Sequence, residues 1–336
     1  MPPEGRVLGA GRERHVRARG AGARCGAAGG ARTSPERPAA GPDSLLCMSR
    51  PPTFVPPAGV RAYRLPTARG EFAVLDAVPD GPPKGTALLL PGFTGSKEDF
   101  IALHAPLAAA GYRTVAVDGR GQYETDGPPD DETPYAQGEL ALDVLAQAAA
   151  LAGPVHLLGH SLGGHIARAA VLLDATPFVS LTLMASGPAQ ISPQQQERVK
   201  LLRDALAVLG MDEVWEAIRT MEAPEETDTG GLDAGLDDVA DLRRRWLANS
   251  PAQLVATGRQ LCTEPDRVAE LAALPLPKHV VSGERDDTWP VPLLDEMAVR
   301  LDARRTVVDG AEHSPNTDRP RETARALAAF WDAATG

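Results

Sequence analysis

The sequence predicts an α/β fold: one mostly parallel eight-stranded sheet, helices on both faces, and a helical segment inserted late in the chain. Three observations predict it. From Val60 onward short apolar runs alternate with stretches of helical period, the alternation lapses between Pro188 and about Pro265 before resuming, and a serine stands between glycines where one run meets a helix. Alternation of this kind implies parallel pairing. Each crossover must span a strand length, and a helix does so while covering a sheet face.

In chain order, Val60–Leu65 and Glu71–Ala77 read as short strands around a turn at Thr67–Gly70, and Pro79–Gly85 as a turn-rich link. Thr86–Leu90 is a continuous apolar strand ending at Pro91-Gly92. Lys97–Ala110 follows as a helix with Phe100, Leu103, Leu107 and Ala108 on one side and Gly111 stopping it. Strand Thr114–Val117 runs into the loop Asp118–Gly121. Helix Pro134–Leu151, strand Val155–Leu158, helix Leu162–Leu173 and strand Val179–Ala185 continue the series. The lapse reads as helices Pro193–Leu209, Asp212–Met221 and Val239–Asn249, with Val255–Cys262 as a weaker fourth. Strand His279–Ser282, helix Val291–Leu301, strand Arg305–Val308 and helix Arg321–Ala334 complete it. The expected organisation is a core of residues 60–187 and 264–336 interrupted by a helical cap at 188–263.

A chain of 336 residues, 43% hydrophobic and 24% charged, is large enough to bury a core without disulfides or a structural metal. Its three cysteines, Cys25, Cys47 and Cys262, match no metal-binding or bridging pattern, so no metal is expected and the cytoplasm is the default setting. Residues 1–50 hold nine arginines and four acids, leaving 25 basic and 41 acidic residues for the rest. So acidic a body repels polyanions, which excludes nucleic acid as a partner. No apolar run reaches the ~18 residues that a membrane span needs. Oligomeric state is not legible.

The first fifty residues are expected to be a disordered tail. Gly, Ala and Arg dominate Met1–Gly41 with no apolar period to bury, and arginines punctuate the stretch where a secretory signal would need an apolar run. Met48 precedes the first ordered-looking segment and is a candidate start of the natural chain. The stretch from Glu222 to Asp241 holds eight acids and no Lys or Arg, and reads as a solvated connection.

Chemistry enters at Gly159-His160-Ser161-Leu162-Gly163, a G-x-S-x-G pattern flanked by a strand and a helix. Small residues two before and two after the serine permit a tight strand-to-helix turn, and the following helix aims backbone N–H groups at the anion formed in acyl transfer. Serine alone is a poor nucleophile and needs a general base. Of seven histidines, His15 falls in the tail, His104 and His165 in helices, His156 inside a strand, His160 in the elbow itself and His279 at the wrong end of a strand. His313 follows a strand in the loop Asp309-Gly310-Ala311-Glu312-His313-Ser314-Pro315, where open sheets hold their chemistry.

The carboxylate that orients such a base is expected in Gly283-Glu284-Arg285-Asp286-Asp287. Asp286 is favoured, and Asp287 stands as the alternative acid. Two N–H donors are needed for the oxyanion: Leu162 after the nucleophile, and Phe93 in the loop Pro91-Gly92-Phe93-Thr94-Gly95-Ser96. Trp215, Trp246, Trp289 and Met184 are candidates for a substrate pocket, with Met221 on the same cavity and core packing as the competing role for each.

These separate loops resemble the alpha/beta-hydrolase superfamily over about Tyr63 to Ala333. The Pro91-Gly92-Phe93-Thr94-Gly95 start, the Gly283 and Asp286 spacing and the Gly310, His313 and Pro315 spacing all match its patterns. Asp118-Gly119-Arg120-Gly121-Gln122-Tyr123 keeps its D-x-R-G-x-G run except for the last glycine. The resemblance implies a serine hydrolase with a helical cap acting on small or medium apolar carboxylic esters through an acyl-serine, without a cofactor. An acyltransferase or thioesterase with the same three residues is the alternative. Haloalkane- and epoxide-opening members use an aspartate nucleophile, so Ser161 argues against both.

Overall fold

The computed structural model describes residues 49–222 and 236–335. The expected tail up to Met48 and most of the acidic connection after Glu222 lie outside these residues. An antiparallel hairpin of β1 (Val60–Thr67) and β2 (Gly70–Ala77) leads to β3 (Gly85–Leu90), a short 3-10 turn at Lys97–Phe100, α1 (Ile101–Ala109) and β4 (Tyr112–Val117). A second 3-10 turn at Thr133–Tyr135 precedes α2 (Gln137–Ala150), β5 (Val155–His160), α3 (Leu162–Leu173) and β6 (Phe178–Met184). The strands then pause for α4 (Pro193–Leu206), α5 (Met211–Glu222), α6 (Leu236–Ala248), α7 (Pro251–Thr263) and the short α8 (Val268–Ala272). The chain ends with β7 (Lys278–Gly283), α9 (Val291–Arg300), β8 (Arg304–Val308), the four-residue α10 (Pro315–Asp318) and α11 (Pro320–Thr335).

All eight expected strands are present in one sheet of order β1-β2-β4-β3-β5-β6-β7-β8. Pairing is parallel from β4 through β8 and antiparallel at β1–β2 and β2–β4. Side chains alternate between two apolar layers, as the period of two demands. Leu88, Leu90, Leu157 and Leu183 join one layer with Val144 of α2, Val171 of α3 and Leu294 of α9. Ala87, Leu89, Leu158 and Met184 join the other with Leu103 of α1 and Leu327 and Trp331 of α11. Helices thus cover both faces.

Element ends depart from expectation for local reasons. The single helix expected at Lys97–Ala110 is a 3-10 turn followed by α1, with Asp99 accepting the Ser96 N–H at 3.2 Å and Pro106 interrupting the helical ladder. Strand β5 runs on to His160 because β3 and β6 keep pairing with it on both sides, Leu90 opposite Gly159 and Met184 opposite His160. The helix expected from Pro134 is broken at Ala136, whose extended ψ of 140° separates the 3-10 turn from α2.

The inserted helices have an apolar cluster of their own, Leu202, Val214, Trp215, Ile218, Leu242, Trp246 and Leu254. A buried ion pair joins them to the sheet domain. Arg245 of α6 donates to Asp99 at 2.8 Å and to the Ser49 carbonyl at 2.7 Å, and Asn316 of α10 donates to the Asp99 carbonyl at 2.8 Å. No described helix is long and apolar enough to cross a membrane.

Candidate active site

Ser161 sits between β5 and α3 with φ +53° and ψ −119°, a backbone conformation costly for a residue with a side chain and sustained only where the surroundings enforce it. Two hydrogen bonds enforce it here: the Ser161 N–H to the Met184 carbonyl and the Gly164 N–H to the Ser161 carbonyl, both 2.9 Å. The flanking glycines are steric necessities. A Cβ on Gly159 would run into the Gly163 backbone, and one on Gly163 would strike the Leu90 and Pro91 carbonyls. The turn consequently presses the serine against the loop that follows β3.

His313 reaches this serine from the loop after β8. Its Nε2 lies 3.0 Å from Ser161 Oγ, and its Nδ1 lies 3.0 Å from both oxygens of Asp286. The loop is pinned from several sides. Glu284 N–H donates to the Ala311 carbonyl at 2.9 Å, Asp318 accepts the Glu312 N–H at 2.9 Å, and His160 Nε2 donates to the His313 carbonyl at 2.8 Å. Gly283 allows the two loops to touch, because a Cβ there would collide with the Ala311 and Glu312 carbonyls.

Asp286 is locked in turn. Its Oδ1 accepts the N–H groups of Thr288 at 2.9 Å and Trp289 at 3.1 Å, and the side chain is wholly buried. Asp287 faces elsewhere: its Oδ2 accepts Gln195 Nε2 at 2.7 Å and stands 3.7 Å from Arg198 Nη1, on α4. The two neighbouring acids are therefore divided, one toward the imidazole and one toward the inserted helices. Glu284 accepts the Gly310 N–H at 3.0 Å, and Glu312 pairs with Arg285 at 2.8 Å.

The electrostatics follow from these contacts. Burial disfavours the charged form of His313, but the Asp286 carboxylate against Nδ1 outweighs it and holds the ring above the ordinary imidazole value of 6.5. His160 is the opposite case. Burial, reinforced by the nearby His313, pushes it down to about 3, so it stays a neutral prop for the histidine loop.

Phe93 lines the same cavity as Ser161, and Leu162 follows it in the chain. A Cβ built on Gly92 would lie 3.4 Å from Ser161 Cβ, and neither the Phe93 nor the Leu162 N–H meets a protein acceptor among the described residues. Gln122 holds the Gly92–Phe93 peptide, a contact the sequence did not suggest. Its Oε1 accepts the Gly119 N–H at 3.0 Å, which turns Nε2 toward the Gly92 carbonyl at 2.8 Å. In a trans peptide the Phe93 N–H points opposite to that carbonyl, so Gln122 and the Gly95 N–H, which donates to the same carbonyl at 3.2 Å, fix its direction together. Tyr123, standing where the resemblance expects glycine, adopts a φ of +38° and takes a hydrogen bond on its hydroxyl from Arg244 of α6 at 3.0 Å.

Above Ser161 is a narrow cavity in which the centre of a water-sized sphere has about 60 Å³ to move. Phe93, Ile191, Val199 and Leu261 supply its apolar wall, and Ser49, Thr94, Gln195, Arg198 and Thr288 its polar one. The expected pocket residues are not among its lining. Trp215 and Trp246 fill the core of the inserted helices, where Trp246 Nε1 donates to the Met211 carbonyl at 2.6 Å. Trp289 packs behind the site, edge-on to His165 at 5.1 Å and donating to the Ala189 carbonyl at 2.9 Å. Met184 belongs to the apolar layer on the α1 and α11 face, and Met221 is exposed. For Trp215 and Trp246 the physical reason is the same. A short helical segment must first bury an apolar core of its own, and large aromatics serve that need best.

Comparison with known proteins bears on the family and the fold. The model of the alpha/beta hydrolase family matches residues 87–326. Pimeloyl-[acyl-carrier protein] methyl ester esterase of Aeromonas hydrophila is 31% identical over 247 residues, 68% of this chain and 93% of that protein. The 2-(acetamidomethylene)succinate hydrolase of Mesorhizobium japonicum is 29% identical, over 73% of this chain and 87% of that one. Among solved structures, a thermophilic esterase from Thermogutta terrifontis superposes with a TM-score of 0.64 at 20% identity, over 82% of this chain and all of that one. The fold and the serine elbow define a hydrolytic enzyme. The chain belongs to the alpha/beta hydrolase family.

Proposed function

We propose that this hydrolase cleaves short carboxylic esters through an acyl-serine intermediate, with Ser161 as nucleophile, His313 as general base, Asp286 as the acid that orients it, and the Phe93 and Leu162 N–H groups as oxyanion donors. The observation that carries the reading is the unbroken hydrogen-bonded run from Asp286 through His313 to Ser161. Because Asp286 accepts from Nδ1, the proton of neutral His313 resides there and the Nε2 lone pair faces the serine hydroxyl.

In the first step Nε2 takes the hydroxyl proton as Oγ bonds to the ester carbonyl carbon, and the resulting oxyanion faces the two backbone donors. Protonated His313, stabilised by Asp286, then gives its proton to the departing alcohol. Water repeats the sequence on the acyl-serine and releases the acid. The narrow cavity supports a small substrate, and its mixed walls support one that is not purely apolar. The Aeromonas hydrophila relative described above hydrolyses a methyl ester by name, which supports the bond class.

Replacing Ser161 by Ala is expected to lower kcat/KM on a p-nitrophenyl ester by about 10³-fold or more. A fluorophosphonate probe should add to Ser161 of the unaltered chain. Unchanged turnover in the purified variant overturns the reading. Product analysis in the presence of added methanol separates hydrolysis from acyl transfer.

A further inference from the structure

One wall of the cavity above Ser161 comes from outside the sheet loops and the inserted helices alike. Among the described residues that line it, Ser49 alone precedes β1, and it reaches the site from the segment that leads into the hairpin. Ser49 is buried and is held at two points. Its carbonyl accepts Arg245 Nη2 of α6 at 2.7 Å, and its Oγ lies 3.1 Å from Oγ of Ser314, the residue after His313. The same Arg245 pairs with Asp99 at 2.8 Å, and the Asp99 carbonyl accepts Asn316 Nδ2 of α10 at 2.8 Å. These contacts form a ring through α6, the turn before α1 and α10, closed by the chain from Asn316 back to Ser314. Farther along the segment, the Phe54 ring lies 5.6 Å from the Arg245 guanidinium and edge-on to Tyr123 at 6.1 Å. A loose wall would yield to a longer substrate. This one cannot fall back without breaking buried hydrogen bonds.

We propose that Ser49 is a specificity-determining residue of this enzyme: the fixed wall it contributes limits how long an ester can lie across Ser161. The proposal rests on the serine-hydrolase reading above and assigns to that site a limit on substrate size. One methylene more or less in a fitted apolar pocket changes kcat/KM by about 10- to 200-fold, so the size of the side chain at this wall is felt directly.

The test varies each half of the ester separately in the full chain, with p-nitrophenyl acetate, butyrate and hexanoate for the acyl side and methyl, butyl and hexyl acetate for the alcohol. In at least one series Ser49→Leu should lower the ratio of kcat/KM on the longest ester to that on the shortest by about tenfold or more, and Ser49→Gly should raise the same ratio by about threefold or more. Opposite signs at one position mark a wall, whereas a segment merely loosened by substitution moves both variants the same way. A ratio that either variant leaves unmoved in both series, or that both move in one direction, overturns the proposal and leaves the serine-hydrolase reading standing. Should Ser49→Leu not fold, Ser49→Gly decides alone: a raised ratio upholds the proposal, and an unmoved or lowered one overturns it. If the unaltered chain hydrolyses no ester and Ser161 resists the fluorophosphonate, both fall together.

Discussion

The loops beyond the strand ends and the helical insertion between β6 and β7 obey different rules. In the loops each candidate side chain is held through backbone groups: Ser161 by its strained turn, Asp286 by two N–H groups, and the His313 loop by the Glu284 N–H on the Ala311 carbonyl. In the insertion the large aromatics are held by one another, and the cavity wall is left to Arg198, Val199 and Leu261, which carry no motif. Backbone constraints restrict which residue can occupy a position. Apolar packing accepts many solutions, and a helix face does not reveal in advance what it will meet.

After loss of the nucleophile itself, the largest expected effect separates the two neighbouring acids. Asp286→Asn should lower kcat by roughly 10²- to 10⁴-fold, because the amide cannot hold the imidazole in the working tautomer. Asp287→Asn, whose side chain faces α4, should cost less than about tenfold, and steady-state kinetics on a p-nitrophenyl ester will show whether the order holds. Next in size is Gln122→Met, which removes the shorter of the two hydrogen bonds to the Gly92 carbonyl and leaves that from the Gly95 N–H. It should lower kcat by about 10- to 100-fold with KM nearly constant, since a misaimed Phe93 N–H is missed mainly in the transition state.

The pH profile gives a smaller and more diagnostic effect. The general base must be neutral to act, so kcat/KM should rise with pH through a single ionisation whose midpoint lies above 6.5, and Asp286→Asn should move that midpoint down. A midpoint below 6.5 in the wild type would contradict the dominance of Asp286 over burial. In the insertion the least effect on chemistry is expected. Trp246→Ala should reduce stability by about 3–5 kcal/mol, read by urea unfolding, with little change in KM for the molecules that remain folded. A large rise in KM would return Trp246 to the substrate wall.

The fold was legible because parallel strands leave continuous apolar runs that few other elements mimic, as Thr86–Leu90 illustrates. Ser161, Asp286 and His313 were legible because each follows a strand and stands among glycines or prolines that shape its loop. Gln122 was not, since its partner Gly92 lies on the neighbouring strand end and strand order is absent from a linear reading. Arg198 was hidden for another reason. One arginine in a polar helix reads as solvated until the helix is seen against the cavity. Trp215 and Trp246 misled because an aromatic in a short helical segment serves either a ligand or its own packing, and no local signal tells the two apart.

The Arg245–Asp99 contact ties α6 to the turn before α1. Parting it would strand two dry, opposite charges, and breaking a buried pair of this kind costs about 3–5 kcal/mol. Helix α6 is therefore riveted down. The cavity takes its helical wall from α4 and α7 among the described residues, so the helix held by that contact is not one that walls it.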